Sequence, residues 1–411
     1  MRAKVDAKEF VQALERVSGL VRNSSIPVLN AVLVRFEADR CTLTSTNINT
    51  YLSAALPAQG DGFAFLLDRP RETARAFRQF EGELALEQTE AGEGDRRQIT
   101  LTLSCGPRSA ELHPFLPEDF PRGPKWEPRH SFTANAAKLY ARVERVKYAV
   151  GIPRKEEARA CLVSVQFSGD RIYALDGYRM AWDTDPELDI SVPFMAAPDA
   201  LEHLKLFGDQ DVEIQQGDRF ARVTDGVTSL LFRLPEGELF KLDSAIPDRF
   251  RAEFQVSPRE FLAELKYLKQ SLRGNRAHLV RFCGGRLLAE SLGERYATKI
   301  SAPGCEDVEF GFSLDYMMDV MERFKKEPSV TMKAGRLFVG LSDIDEVQAD
   351  EIINLRQKKR SLFRFRLAAG LRSWLTRFTA PAEDAVDAEY EVKEPAPVVH
   401  LDAEKENKPA A

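Results

Sequence analysis

The chain has 411 residues, 44% of them hydrophobic and 30% charged, an ordinary balance for a globular protein with length for about three domains. The net charge of −6 is uneven: residues 356–381 carry eight cations and no acid, residues 382–411 carry nine acids and three lysines, and residues 1–355 are left with −8. The opening Met-Arg-Ala-Lys-Val-Asp is not a secretory signal, no stretch is apolar over the length of a bilayer, and Cys41, Cys105, Cys161, Cys283 and Cys305 lie too far apart for a disulfide framework or a zinc spacing, so reduced thiols in a cytoplasm are expected.

The first helix is predicted from Phe10, Leu14 and Val17, apolar at i, i+4 and i+7 behind a β-rich lead-in. Leu67 to Phe80 reads as a second helix, with Asp68 and Pro70 in its first turn, and Leu84-Ala-Leu86 as the alternating strand after it. The same series then returns. Leu139, Val143 and Val146 mark a helix, Ala197 to Phe207 a second, and Val212-Glu-Ile214 a strand. In the third copy the helix carries Phe261, Leu265 and Leu268, followed by a helix over Leu314 to Phe324 and the strand Val330-Thr-Met332. A period of about 125 residues is domain-sized and longer than any solenoid repeat. The expected fold is α+β, with three repeated domains over residues 1–128, 129–251 and 252–357, each pairing two helices on one face of short antiparallel strands.

Residues 358–381 form a separate predicted segment. Phe363, Leu367, Leu371, Trp374 and Phe378 fall on one helical face, with Arg364, Arg372 and Arg377 elsewhere. Such a basic amphipathic segment suits a partner, the chain's own surface or a membrane surface. Residues 382–411, acidic and rich in Pro, Ala and Glu, are expected to be disordered.

An acidic body argues against nucleic acid, yet the repeated helices are basic. Lys138, Arg142, Arg145 and Lys147 stand against Glu144; Arg69, Arg71, Arg75 and Arg78 against Asp68 and Glu72; and the third-domain helix ends with Lys266, Lys269 and Arg273. Each could be a solvated helix face. If all face one way, they make an inner surface that holds phosphates without reading bases. An enzyme reading finds less support. His113, His130, His203, His278 and His400 are scattered, there is no phosphate loop and no clustered carboxylate set, and Asp176-Gly177 fits a turn. The nearest catalytic alternative is a hydrolase acting on nucleic acid.

Four stretches carry a resemblance to the bacterial sliding clamp family, the β subunit of DNA polymerase III, over residues 1 to about 357. They are Ser24-Ser-Ile26-Pro27-Val-Leu29, Leu116-Pro117-Glu-Asp119-Phe120-Pro121, Ala174-Leu175-Asp176-Gly177-Tyr178-Arg179-Met180-Ala181 and Phe312-Ser-Leu-Asp-Tyr316-Met-Met-Asp319-Val320. The resemblance implies a head-to-tail homodimer closing a ring of six domains around duplex DNA, helices inward. It also implies a processivity role without catalysis or cofactor, with polymerase, clamp loader and other motif-bearing proteins as partners. A clamp-like scaffold not used in replication remains the alternative.

The resemblance also implies sites. A pocket for partner peptides maps to Leu162, Leu175, Gly177, Tyr178, Arg179, Met180, Ile246, Ile352, Ile353 and Leu355, an apolar groove with polar handles, although Leu162, Leu175 and Met180 could each be ordinary core. DNA contacts map to Arg22, Asn23, Lys147 and Arg154. Helix phase and charge add Arg71, Arg75, Arg142, Arg145, Lys269 and Arg273. At a dimer seam, Ala110 and Leu112 would face Leu268 and Leu272, four residues that could equally be core. The chain departs from the family at the pocket. Leu175 and Tyr178 replace Thr and His, Phe240-Lys241-Leu242-Asp243 replaces Phe-Pro-Asp-Tyr, and Ile352-Ile-Asn-Leu355-Arg356 replaces Met-Pro-Met-Arg-Leu, so a different motif preference is expected. Lys359-Arg360-Ser361-Leu362-Phe363 loosely resembles the Gln-Leu-Ser-Leu-Phe type of peptide that enters such pockets, and raises self-occupation as a hypothesis.

Overall fold

Three helices open in the same way. In the computed structural model, Asp6 Oδ1 accepts from the Glu9 N–H at 2.9 Å, Asn135 Oδ1 from the Lys138 N–H at 3.0 Å, and Ser257 Oγ from the Glu260 N–H at 3.5 Å. Each is an N-cap that satisfies an otherwise orphaned donor of the first turn. The helices that follow bury Phe10, Leu14 and Val17, then Leu139, Val143 and Val146, then Phe261, Leu265 and Leu268. Every one of these nine side chains is at least 96% withdrawn from solvent, worth roughly 1.5–3 kcal/mol for each large residue.

The structure describes residues 1–92, 97–152, 159–246, 250–272, 279–291, 293–334, 338–342 and 350–354. Arg154, Arg273, Leu355 and the segments 358–381 and 382–411 lie outside them. The first stretch of chain runs β1 (Arg2–Asp6), α1 (Ala7–Val17), β2 (Val32–Phe36), β3 (Arg40–Thr46), β4 (Thr50–Gly60), β5 (Phe63–Leu67), α2 (Pro70–Phe77), β6 (Glu83–Ala91), β7 (Gln98–Cys105) and β8 (Arg108–Leu112). The second repeats it with β9 (His130–Asn135), α3 (Ala136–Val146), β10 (Val165–Gly169), β11 (Arg171–Leu175), β12 (Arg179–Thr184), β13 (Ile190–Ala196), α4 (Pro198–Leu201), β14 (Asp211–Gln216), β15 (Phe220–Thr224) and β16 (Thr228–Arg233). The third has β17 (Ala252–Val256), α5 (Pro258–Ser271), β18 (Leu279–Cys283), β19 (Arg286–Ser291), β20 (Glu294–Lys299), β21 (Glu309–Ser313), α6 (Leu314–Phe324), β22 (Val330–Ala334), β23 (Phe338–Ser342) and β24 (Asp350–Asn354).

Each stretch therefore folds two half-sheets of four antiparallel strands, and the two helices of each pack together on the core. Half-sheets join across the repeats. β4 pairs with β16, with Leu52 opposite Leu230, and β12 pairs with β24, with Met180 opposite Ile352. In the first domain β1 also pairs with β4 next to Gly60, whose φ of 137° and contact with the Arg2 backbone leave no room for a Cβ.

Two predicted helices differ from expectation. The expected helix over 67–80 begins only at Pro70, because Leu67 ends β5 and Arg69 sits in the left-handed region at φ 48°. The one over 197–207 makes a single α-turn and continues as a 3-10 helix over Glu202–Phe207. Leu201, Leu204 and Phe207 are all buried and spaced by three, which a three-residue turn lines up on one side. Among the described residues no helix is long and apolar enough to cross a membrane.

Candidate functional site

The face of the second-domain sheet turned away from α3 carries an apolar cluster at the joint with the third domain. Register puts Tyr173 opposite Trp182 and Leu175 opposite Met180, so all four point the same way, whereas Ile172, Ala174 and Ala181 face the core under α3. Leu242 completes the buried set, and Leu162, Phe240, Ala245 and Ile246 pack on it half-buried. The backbone of β24 runs beside Met180 and Arg179 as the groove's third side. Thus the structure brings together Leu162, Leu175, Met180, Ile246 and the backbone of Ile352 and Ile353. Leu175 and Met180 are floor residues under the half-buried rim, since each is more than 90% withdrawn from solvent.

Tyr173, Trp182, Ala245 and the exact contribution of Phe240 were not part of the expected set. The period-two alternation in Tyr173-Ala-Leu175 and Met180-Ala-Trp182 carries the signal for the first two. Burial pushes the Tyr173 phenol up to about 12, with the Asp243 carboxylate and Cys161 adding to it, and its hydroxyl donates to Phe240 O at 2.9 Å.

Gly177, Tyr178 and Arg179 form the turn that joins β11 to β12. Asp176 Oδ1 accepts from the Tyr178 and Arg179 N–H groups at 2.8 and 2.9 Å, and Gly177 at φ 84° completes this side-chain-closed turn. The turn aims Arg179 at the third domain, away from the groove. Its guanidinium donates to Asp319 Oδ2 and Tyr148 O, both at 2.7 Å, lies 3.3 Å from Asp176, and sits 5.1 Å from the Tyr148 ring centre and 4.6 Å from that of Tyr316. Tyr178, 47% exposed, leans on Tyr316 with ring centres 6.2 Å apart. Burial and the Asp176 carboxylate push the Tyr316 phenol up to about 12. These residues clasp α6 to the second domain, a role for which planar, always charged Arg is well suited.

The basic residues divide by what they touch. Arg22 and Asn23 are exposed after α1, Arg22 reaching Asp199 at 3.8 Å, and Arg75 is exposed on α2. Lys269, half-exposed, pairs with Asp315 at 3.0 Å, and Arg145, also half-exposed, with Asp183 at 3.1 Å. Three others are engaged by the protein itself, Arg142 and Lys147 largely withdrawn from solvent and Arg71 still exposed. Arg142 is drawn inward by two buried carboxylates, Asp183 at 2.7 Å and Asp185 at 2.8 Å, because neither can be left uncompensated. Burial pushes the Asp183 carboxyl up, and Arg142 and Arg145 pull it back. Arg71 donates to Ser18 O at 3.1 Å and Val21 O at 2.9 Å, satisfying carbonyls just past the end of α1. Lys147 pairs with Glu144 and, at 3.6 Å, with Glu202.

The expected seam residues also separate. Leu268 and Leu272 belong to the third-domain core, facing inward from α5, and are not seam surface. Ala110 and Leu112 are half-buried on β8, at the end of its sheet. Among the described residues no group of three or more His, Cys, Asp or Glu is placed to hold a metal.

No family model matches the chain. The beta sliding clamp of Vibrio cholerae is 24% identical over 361 residues, 84% of this chain and 93% of that protein, and that of Haemophilus influenzae is 24% identical over 359 residues, 79% and 91%. Among solved structures, the DNA polymerase III subunit beta from Pseudomonas aeruginosa superposes with a TM-score of 0.73 at 17% identity, covering 86% of this chain and 99% of that one. The sliding clamp from Caulobacter crescentus gives 0.72 at 16%, with the same coverage. The fold of this chain is the sliding-clamp fold.

Proposed function

We propose that the chain is a DNA sliding clamp, a processivity factor that encircles duplex DNA as a head-to-tail homodimer and tethers DNA polymerase and other partners to it. The observation that carries this reading is the bookkeeping of sheet edges. β4, β12 and β20 occupy the same place in the three repeats, and so do β16, β24 and β8. Two junctions form within the chain, β4 with β16 and β12 with β24, and each completes an eight-strand run. The third pair, β20 and β8, stands at the ends of its sheets among the described residues. Open edges invite pairing, and two copies joined β20 to β8 at both ends repeat the β4–β16 and β12–β24 junctions and close a ring of six domains.

Helix α2 with Arg75, the loop with Arg22 and Asn23, and the half-exposed Arg145 and Lys269 supply modest cationic contacts to the duplex. Weak contacts suit a protein held by topology, because tight phosphate binding would stop it sliding. The apolar groove of the second domain takes linear motifs from polymerase and clamp loader, with Leu162, Phe240, Ala245 and Ile246 as its accessible rim. The work is tethering, and no step of it needs catalysis. The setting is a cytoplasm.

Retention on DNA in salt high enough to screen phosphate contacts is the test. The protein is expected to stay on nicked circular DNA and to leave when the circle is cut. Loss from both forms alike would make it an ordinary basic DNA-binding or scaffold protein.

A further inference from the structure

The two walls of the groove come from distant parts of the chain, the 160–162 turn and the 240–246 segment, and one buried side chain holds both. Gln166 on β10 is fully buried. Its Nε2 donates to Cys161 O at 3.0 Å, and its Oε1 accepts from the Phe240 N–H at 2.7 Å. A carbonyl on one side and an N–H on the other fix which way the amide must point. Gln166 stands opposite Tyr173 in the sheet, so it rises on the groove side, and the Tyr173 hydroxyl takes the carbonyl of the same Phe240.

The repeat shows that the fold does not require an amide there. Phe167 on β10 faces Phe194, as Val34 on β2 faces Phe65 and Phe282 on β18 faces Phe310. The residue before each is Gln166, Leu33 and Arg281. In the first domain Leu33 packs with Val28 of the 27–30 turn and Phe120 of the linker after β8, and in the third Arg281 pairs with Glu309, so the second domain makes by a directional amide the bridge that the first makes by apolar packing.

We infer that Gln166 is the positioning residue of the groove, setting the distance between the Leu162 wall and the Phe240 wall and hence the fit of a bound peptide. This rests on the groove being the partner site. Of the two walls, the Leu162 side is also fixed by the Gly151 N–H, which donates to Leu162 O at 2.7 Å, while Phe240 itself is held by Gln166 and Tyr173, with the exposed Arg171–Asp243 pair further along its segment. Loss of the amide therefore frees the Phe240 wall first.

The experiment measures binding of a labelled synthetic Gln-Leu-Ser-Leu-Phe peptide to the full chain by fluorescence anisotropy, alongside hydrogen exchange at the Phe240 amide. Gln166→Met keeps the shape and removes both bonds, so affinity should fall about tenfold or more and the Phe240 amide should exchange faster, on net bond strengths of this kind. Gln166→Glu at pH 5 should bind better than Gln166→Met, because a carboxylic acid again accepts from Phe240 and donates to Cys161. Tyr173→Phe, the milder change, should loosen the same amide if Gln166→Met does not fold. Wild-type affinity in Gln166→Met, or no advantage for Gln166→Glu, overturns the inference. Failure of the wild-type chain to bind this peptide and every member of a set varied at its five positions overturns the groove reading instead.

Discussion

Arginines of identical charge do unlike things in this chain, and burial decides which. Arg142 faces a fully buried carboxylate, so Arg142→Ala leaves Asp183 short of a partner and strips Asp185; a loss of about 3 kcal/mol in urea unfolding is expected. Arg75 is exposed on α2. Arg75→Ala should leave stability within about 0.5 kcal/mol and lower the slope of DNA affinity against salt by about one contact. His203 adds a pH effect. Burial lowers its imidazole below the usual range, the Arg22 and Lys205 cations act the same way, and Glu202 and Asp199 oppose. Because the folded pKa lies below the unfolded one, the unfolded chain takes the proton first: this stability is complete above about pH 6.5 and is lost as pH falls below it. His203→Gln should flatten the urea midpoint between about pH 7 and 5, and an unchanged slope would assign the loss to other groups.

Among elements, α6 has the most to lose from a single substitution. It reaches the second domain through Asp319 and Tyr316, both held by Arg179, and through Arg323, which lies 5.1 Å from the Tyr148 ring centre. Arg179→Lys keeps the charge but cannot fork to Asp319 and Tyr148 together, so a loss of about 2 kcal/mol is expected, seen first as faster hydrogen exchange in the turn 176–179 and in α6. Equal slowing or no change in both would mean that the domains are held by β12 and β24 alone. The short 3-10 helix after α4 makes a related point: Leu201, Leu204 and Phe207 are spaced by three, a period that a three-residue turn buries on one side and an α-helix does not.

At the scale of the molecule, the unjoined β8 and β20, equivalent to strands that have already closed two junctions within the chain, call for a second copy. The expected particle has twice the 46.3 kDa chain mass, and dilution should reveal a monomer that no longer stays on circular DNA. Light scattering at stated concentrations checks this. A monomer at every concentration would leave β8 and β20 uncovered and would argue for a different use of the fold.

The repeat and the approximate places of its helices and following strands follow from the sequence alone, because apolar periodicity and Pro placement are local rules read over a few residues, whereas the late start of α2 and the 3-10 turn over Glu202–Phe207 do not. Tyr173, Leu175, Met180 and Trp182 were legible as alternating strand positions, and Leu162 and Ile246 as groove residues only through resemblance. Side-chain direction was not legible. Whether Arg142 meets solvent or Asp183, whether Arg179 points into the groove or across to Asp319, and whether Leu268 is seam or core depend on residues between about 40 and 140 positions away, which only the packed chain brings within reach. The sequence thus determined which elements repeat, and the tertiary structure decided which of their charges and apolar faces remained free, since burial is a property of the assembled layers and not of any one of them.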